Sequence, residues 1–447
     1  MDHMNVRLYV DDRPEDQVFR VHPAVYSDAE LFELEMKFIF ERTWSFLSVE
    51  SEIAQPNDFI TTCIGRTPVL VARDAKGSIG AFVNACRHKG ATVCRSEKGN
   101  ARYHVCPYHG WAYDAAGKNV DIKDRKSGCY AAAFDADSHD LVSIARLETY
   151  KGMIFGSLSP DVLPLERSLG DLRFFIDLYM EQGPSGMEII PGRCAYVYQG
   201  NWKMQMENGQ DAYHFSSTHG SFAEVQRRRS SGDGNTSART YDWQKRDSME
   251  AGMFDFPYGH TTMWMNLAEP EKRPIYPRLH EIRARVGEVK AQWMLKQRNV
   301  VVFPNLQMAD HITPFLRVIR PLAVNRTELR NLVLAPIGEA PELRAWRLRQ
   351  FEDFINPCGL ATPDDVAVFG ELQRGCETPG LPWLQGHDRG MSVRQQGAND
   401  VARLIGVNPV QSLTGLMPMQ NEITMHAPFR EWARLMEAGV NGRKAYP

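Results

Sequence analysis

Two short mixed pairs of ligand-type residues, Cys86-x-His88 and Cys106-x-x-His109, constrain this chain more than any other feature. Each pair offers one thiolate and one imidazole from a tight turn, on what read as the loops of two hairpins. A Cys2His2 set holds either tetrahedral zinc or a [2Fe–2S] centre in which two histidines ligate one iron and two cysteines the other. Zinc knuckles pair like with like; here each half is mixed, which suits the asymmetric cluster better. Gly90 and Gly110, shortly after each histidine, would let backbone approach the sulfides. His104 and Cys94 fit no paired-loop geometry and are read as structural. The first twenty residues carry Asp2, Asp11, Asp12, Glu15 and Asp16 and no apolar core, so no secretion signal is expected. The eight cysteines therefore read as thiols or ligands, not as a disulfide framework.

The rest of the chain gives these pairs a setting. A length of 447 residues corresponds to roughly three domain equivalents. A net charge of −3 argues against a polybasic nucleic-acid or membrane-surface binder, and no apolar run is long enough for a span. The expectation is a soluble cytoplasmic protein. Ser27-Asp28-Ala29-Glu30 resembles a capping box ahead of Leu31, Leu34 and Phe38, which predicts a helix over 28–42. From Trp44 to about 160 the texture is short β runs with turns at 74–77 and 115–118, a compact all-β module. The flanking 1–43 and 161–447 read as one larger α+β domain, with strand-like runs at 300–303, 316–319 and 329–334 and a helix over 341–356. The stretch from Arg227 to Gly234 reads as a mobile loop.

A second constellation lies in the larger part. Residues 201–214 read as a helix on which Glu207, Asp211 and His214 (i, i+4, i+7) form a polar stripe. A buried polar stripe needs compensation, and a metal supplies it to several ligand-type side chains at once. His219 is five residues beyond His214, so regular helix is expected to end after His214, in Ser216-Ser217-Thr218. Two histidines and one carboxylate with open positions form the facial site of non-haem Fe(II) oxygenases; a solvated helix face with incidental histidines is the competing reading. Thr362-Pro363-Asp364-Asp365 opens a further helix, where proline and acids in the first turn are also what ordinary capping predicts.

The string Cys86-x-His88…Cys106-x2-His109-Gly110-Trp111 resembles the Rieske motif of aromatic ring-hydroxylating oxygenases, and Asn201-Trp202-Lys203…Glu207-Asn208…Asp211…Tyr213-His214…His219 resembles the catalytic-helix signature of the same family. The resemblance runs from about residue 15 to 440 and is strongest to the large subunits of benzoate, toluate, anthranilate and 2-halobenzoate dioxygenases. The strings carrying it include Asn84-Ala85-Cys86, Arg317-Val318-Ile319-Arg320-Pro321 and Ala361-Thr362-Pro363-Asp364-Asp365. It implies a Rieske [2Fe–2S] domain inserted in a catalytic domain whose antiparallel sheet is flanked by helices. Cys86 and Cys106 would bind the buried iron and His88 and His109 the outer one. His214, His219 and Asp365, with Asp364 as second choice, would hold a mononuclear Fe(II).

The same resemblance implies that Asp211 bridges His214 to His109 of a neighbouring subunit, in a homotrimer or an α3β3 assembly with a small beta subunit. Asn208, Glu207 and Tyr213 would support the site, and Met204, Met206 and Phe215 would line the pocket. The implied reaction adds O2 to an aromatic carboxylate to give a cis-dihydrodiol, with electrons from NADH through a reductase, with or without a ferredoxin. Monohydroxylation of a salicylate-like acid, a pure electron-transfer Rieske protein and a zinc module are the alternatives. Relatives usually have arginine at Lys89, and several have alanine at Met206 and an aromatic pair at Gly220-Ser221. A substrate carboxylate should meet a cation; Arg317 is a candidate, although strand alternation could equally aim it at a structural acid.

Overall fold

The computed structural model describes residues 5–192, 194–231, 248–311, 313–416 and 421–446. It divides into two compact units, Phe40–Leu165 and the combination of Met1–Ile39 with Glu166–Pro447.

In the smaller unit the run Val69-Leu70-Val71-Ala72 shows how the chain makes two cores from one strand. Successive side chains leave opposite faces of a strand. Val69 and Val71 accordingly join Leu47, Ile60, Ile64 and Ile154 in one cluster. Leu70 and Ala72 join Phe59, Phe82, Cys86, Cys106, Trp111 and Tyr113 in the other. The two expected hairpins are present, pairing Thr67–Arg73 with Ile79–Val83 and Ala112–Asp114 with Asn119–Asp121. Their turns are built alike. The Asp74 carboxylate accepts from the N–H groups of Lys76 and Ser78, and Asp114 accepts from Ala116 and Lys118. A third sheet joins Arg146–Tyr150, Met153–Ser157 and Ser45–Val49.

The larger unit is built on a ten-stranded antiparallel sheet. Its long central members are Gln297–Val302, Leu306–Asp310, Pro314–Ala323 and Arg326–Pro336, which contain the expected strand runs. Helices Trp202–Asn208, Pro341–Phe354, Thr362–Cys376 and His426–Val440 accompany it, so the α+β expectation holds. Among the described residues no helix is long and apolar enough to cross a membrane.

Two local expectations change. The predicted helix over 28–42 is α-helical only at Ala29–Glu35 and continues as a π turn over Met36–Phe40. Its cap is Asp28, which accepts from the N–H groups of Glu30 and Leu31. The Ser27 hydroxyl is directed elsewhere, to the carbonyls of Pro23 and Cys376. The expected loop at 227–234 is helical as far as Ser231, inside Gly220–Ser231. Glu224 pairs with Arg227 and Arg228 one turn on, and Arg229 reaches Asp353 instead. Residues 232–234 lie outside the described residues.

Candidate metal centres

The two Cys/His loops of the smaller unit share one backbone design. In the first, Cys86 N–H bonds to the Ala91 carbonyl and Gly90 N–H to the Cys86 carbonyl. In the second, Cys106 N–H bonds to the Trp111 carbonyl and Gly110 N–H to the Cys106 carbonyl, all at 2.8–3.0 Å. Gly90 and Gly110 hold φ of 76° and 73°, the left-handed region where a side chain is strained. A Cβ at Gly90 would meet no protein atom within 4 Å, so the protein itself requires glycine there for conformation, not for close approach.

Both thiols are buried, at 3% exposure, and rest on the apolar cluster that contains Trp111. The histidines stand further out, with ring centroids 4.4 Å apart, and the His88 ring stacks on Trp111. In each histidine Nδ1 is buried without a hydrogen-bond partner. Orphaned buried ring nitrogens are costly, and a metal lone-pair acceptor at those positions removes the cost. Two buried sulfurs inside and two bare nitrogens outside fit an asymmetric two-iron cluster. Burial pushes the Cys86 thiol up, while the Tyr113 hydroxyl, 3.2 Å from Sγ, and the His88 N–H pull it back. Structural readings suit the two neighbours: His104 packs edge-on to Phe59, and Cys94 N–H donates to Asn84.

In the larger unit Asn201, Trp202 and Lys203 anchor the helix Trp202–Asn208. The Asn201 side chain accepts from the Lys203 N–H and donates to the carbonyls of Tyr26 and Val324. Lys203 Nζ lies 2.6 Å from Glu35, which also accepts from the indoles of Trp202 and Trp432, all fully buried. The helix is expected to run on to His214, but it stops at Asn208. The Gln307 side chain, reaching in from the sheet, donates to the carbonyls of Gln205 and Met206 at 2.7 and 2.9 Å. Gln210 N–H turns instead to the Glu207 carbonyl. A Cβ at residue 209 would run into the Gln307 amide, so glycine is needed at this point for close approach.

The irregular segment therefore precedes His214 and does not follow it. Asp211 shapes this segment: one oxygen accepts from the Tyr213 N–H at 2.5 Å and the other from His214 Nδ1 at 2.9 Å. A single helical turn, Phe215–Thr218, then carries the chain to His219. The i, i+4, i+7 stripe thus does not exist as a helix face. Glu207 points away from the histidines, accepting from the Tyr26 hydroxyl and lying 3.1 Å from His387 Nε2.

His214, His219 and Asp365 each present one ligand-type atom, all within 4.8 Å of one another. Asp365 Oδ1 lies 3.2 Å from His219 Nε2 and 3.6 Å from His214 Nε2, and it accepts from Asn208 Nδ2 at 3.0 Å. Asp364 lies outside the triad, with Oδ2 at 3.4 Å from His219 Nδ1. Neither acid caps its own helix, whose N-cap is Ala361 with no side-chain bond. Burial raises the Asp365 carboxyl, but His219, His214 and Arg317 outweigh it and hold its pKa below the ordinary value. Two imidazole nitrogens and one ionised oxygen converging on one point fit a divalent iron with open positions.

The triad lines a cavity together with side chains of the sheet. Met263, Met265, Ala309 and Phe315 supply apolar surface; Gln297 and Arg317 supply polar groups. Phe215 lines this cavity as expected. Met204 lines a separate hollow beside Asp211 and Tyr213, and Met206 is core, at 2% exposure. Gln307, which ends the helix, is a polar position in the strand Leu306–Asp310 that nothing local in the sequence singles out; Arg317, already a candidate cation, lies in the neighbouring strand.

Residues 190–437 match the ring hydroxylating alpha subunit (catalytic domain) family, and residues 43–148 match the Rieske [2Fe-2S] domain family. Toluate 1,2-dioxygenase subunit alpha of Pseudomonas putida is 40% identical over 85% of this chain and 86% of its own length. The 2-halobenzoate 1,2-dioxygenase large subunit of Burkholderia cepacia is 37% identical over 96% and 92%. Among solved structures, naphthalene 1,2-dioxygenase from Rhodococcus sp. bound to indole superposes with a TM-score of 0.79 at 25% identity, covering 94% of each chain.

Proposed function

This chain belongs to the ring-hydroxylating dioxygenase alpha subunits, and from that premise we propose that it is the terminal oxygenase for a benzoate-like aromatic carboxylate. The product is the ring cis-dihydrodiol of that acid. The observation that carries the reading is the convergence of His214, His219 and Asp365 in the lining of a mainly apolar cavity.

We assign Cys86 and Cys106 to the inner iron of a [2Fe–2S] cluster, His88 and His109 to its outer iron, and His214, His219 and Asp365 to a mononuclear Fe(II). When bound, these centres supply one-electron storage and O2 activation, fed from NADH by a reductase, with or without a ferredoxin. The protein's own groups orient and exclude. Asp211 holds the Nδ1 proton of His214 and Asp364 faces Nδ1 of His219, so that both Nε2 atoms are turned to the same point. Asn208 fixes one oxygen of Asp365. The apolar walls keep water from the ring and the reacting oxygen.

Asp211 also lines a hollow with Tyr213, itself 48% exposed. On our reading the partner subunit's His109 docks there in a ring-shaped homotrimer, alone or as α3β3 with a small subunit. Asp211→Ala is then expected to keep both metals and lose coupled turnover; product at near wild-type rate would contradict the bridge.

Turnover with reductase, NADH and labelled O2 on benzoate, anthranilate, salicylate, a 2-halobenzoate and an aryl sulfonate tests the reaction. Two labelled oxygens in a dihydrodiol acid are expected. A single labelled oxygen means a monohydroxylase instead, and protein without iron or visible absorption after reconstitution refutes the oxygenase.

A further inference from the structure

The cavity beside the triad contains a buried cation that no protein anion matches. Arg317, 7% exposed, sits mid-strand opposite Gln307 on one neighbour and Asn331 on the other. Its Nε donates to Asn331 Oδ1 at 3.1 Å, and Asn331 in turn donates towards Cys194 Sγ. The guanidinium carbon lies 5.5 Å from the Phe315 ring centroid. These contacts engage Nε and one face of the group; no hydrogen bond of its Nη donors is found among the described residues, and the residue lines the cavity.

The chain's other buried arginines are treated differently. Arg273 and Arg298 both pair with Asp310, and Arg347 pairs with Glu339. Among the described residues Arg317 has a neutral amide and no acid in ion-pair contact. The carboxylate acting on it at longer range is Asp365, which on the reading above is committed to iron. A buried charge without a partner is costly, so the arrangement makes physical sense when a ligand brings the anion. Arg317 is also the only lysine or arginine among the described residues lining this cavity.

We propose that Arg317 is the anchor for the substrate carboxylate. Its Nη–H groups donate as a fork to the two carboxylate oxygens, which fixes one end of the aromatic acid and points the ring at the triad. Asn331 is a positioning residue that holds the fork in its plane. This rests on the proposed aromatic-acid function and adds the residue that selects for the charge.

The test compares benzoate with its neutral isostere benzamide, on iron-loaded wild-type, Arg317→Gln and Arg317→Lys oxygenase with reductase and NADH. Equilibrium binding of both compounds is measured beside KM and kcat. The Gln variant is expected to weaken benzoate, in Kd and KM, by about 30-fold or more. Benzamide should change by less than about 3-fold, and Lys should recover part of the benzoate loss. Equal losses for both compounds, or unchanged benzoate binding, overturn the anchor. If the Gln variant does not fold, the Lys variant serves: a loss confined to benzoate supports the fork, and an equal loss overturns it. Wild-type enzyme that takes neutral arenes and no carboxylate fails the proposed function itself. Wild-type preference for carboxylates that survives in Arg317→Gln fails the anchor alone.

Discussion

His214 and His219 each have one ring nitrogen facing Asp365 and the other facing a second carboxylate, Asp211 or Asp364. The inner and outer acids should therefore separate cleanly on substitution. Asp365→Ala is expected to lose the mononuclear iron and leave the cluster absorption unchanged. Asp364→Ala should keep the site but bind iron about 10–100-fold more weakly, because only the orientation of His219 is relaxed. Iron titration of the stripped protein reads both; equal losses would place the two acids in the same role. The sequence offered the acids as a pair in a helix's first turn, where capping explains them equally well. What it lacked was the long-range partner, since nothing local says that residue 365 faces residue 219. The matching geometry of the two Cys/His loops was legible for the opposite reason: side chains two or three residues apart are held together by the backbone itself. Arg317 was legible as a cation on a strand, but its lack of an acid partner is a property of the folded neighbourhood.

Elements were legible where their cause is local and misread where another part of the chain interrupts them. Hairpins set by Asp74 and Asp114, and the helix starting at Pro341, follow from their own residues. The end of the helix at Asn208 follows from Gln307, about a hundred residues away in sequence. Gly209→Ala should displace that amide and cost roughly 2–3 kcal/mol, the loss of two well-made hydrogen bonds to buried carbonyls. Denaturant midpoints measure the cost, and weaker iron retention should accompany it because Asp211 and His214 follow directly. A Gly209→Ala protein with unchanged stability would mean that Gln307 does not end the helix. The strand Ala251–Asp255 gives a pH prediction. Burial pushes the Asp255 carboxyl up to about 7, against the donors Thr261 and Gln411. The folded state then holds this proton more tightly than the unfolded state, whose carboxyl has the ordinary value of 3.8. Between those values stability falls as pH rises. Asp255→Asn removes the dependence, so its midpoint relative to wild type should climb from about pH 4 to about pH 7 and level off above. The ceiling is roughly 4 kcal/mol; a difference that stays flat with pH rejects the buried-charge account.

At the scale of the whole molecule, Glu35 joins the N-terminal segment to the catalytic helix through Lys203 and to the C-terminal helix through Trp432. Glu35→Gln alone should cost about 3–5 kcal/mol by leaving the Lys203 ammonium buried without its partner. Adding Lys203→Met should restore much of that loss, and a double variant as unstable as the single one would show that the charge is not the cause. The bridge proposed at Asp211 would run between chains. Mixing subunits decides this. On the assignments proposed above, chains with His109→Ala lack a cluster ligand and keep the triad, and chains with His219→Ala keep the cluster and lack a triad ligand. Neither works alone on any scheme. Co-expressed in equal amounts and purified through two different tags, they pair at random around a ring. A junction is productive when a His219→Ala chain donates to a His109→Ala neighbour, which happens at about one junction in three of a mixed trimeric ring. Mixed assemblies should therefore recover roughly a third of wild-type turnover if electrons cross between chains. If each cluster serves the triad of its own chain, no mixture recovers anything, and a rate indistinguishable from the two parents would remove the bridge.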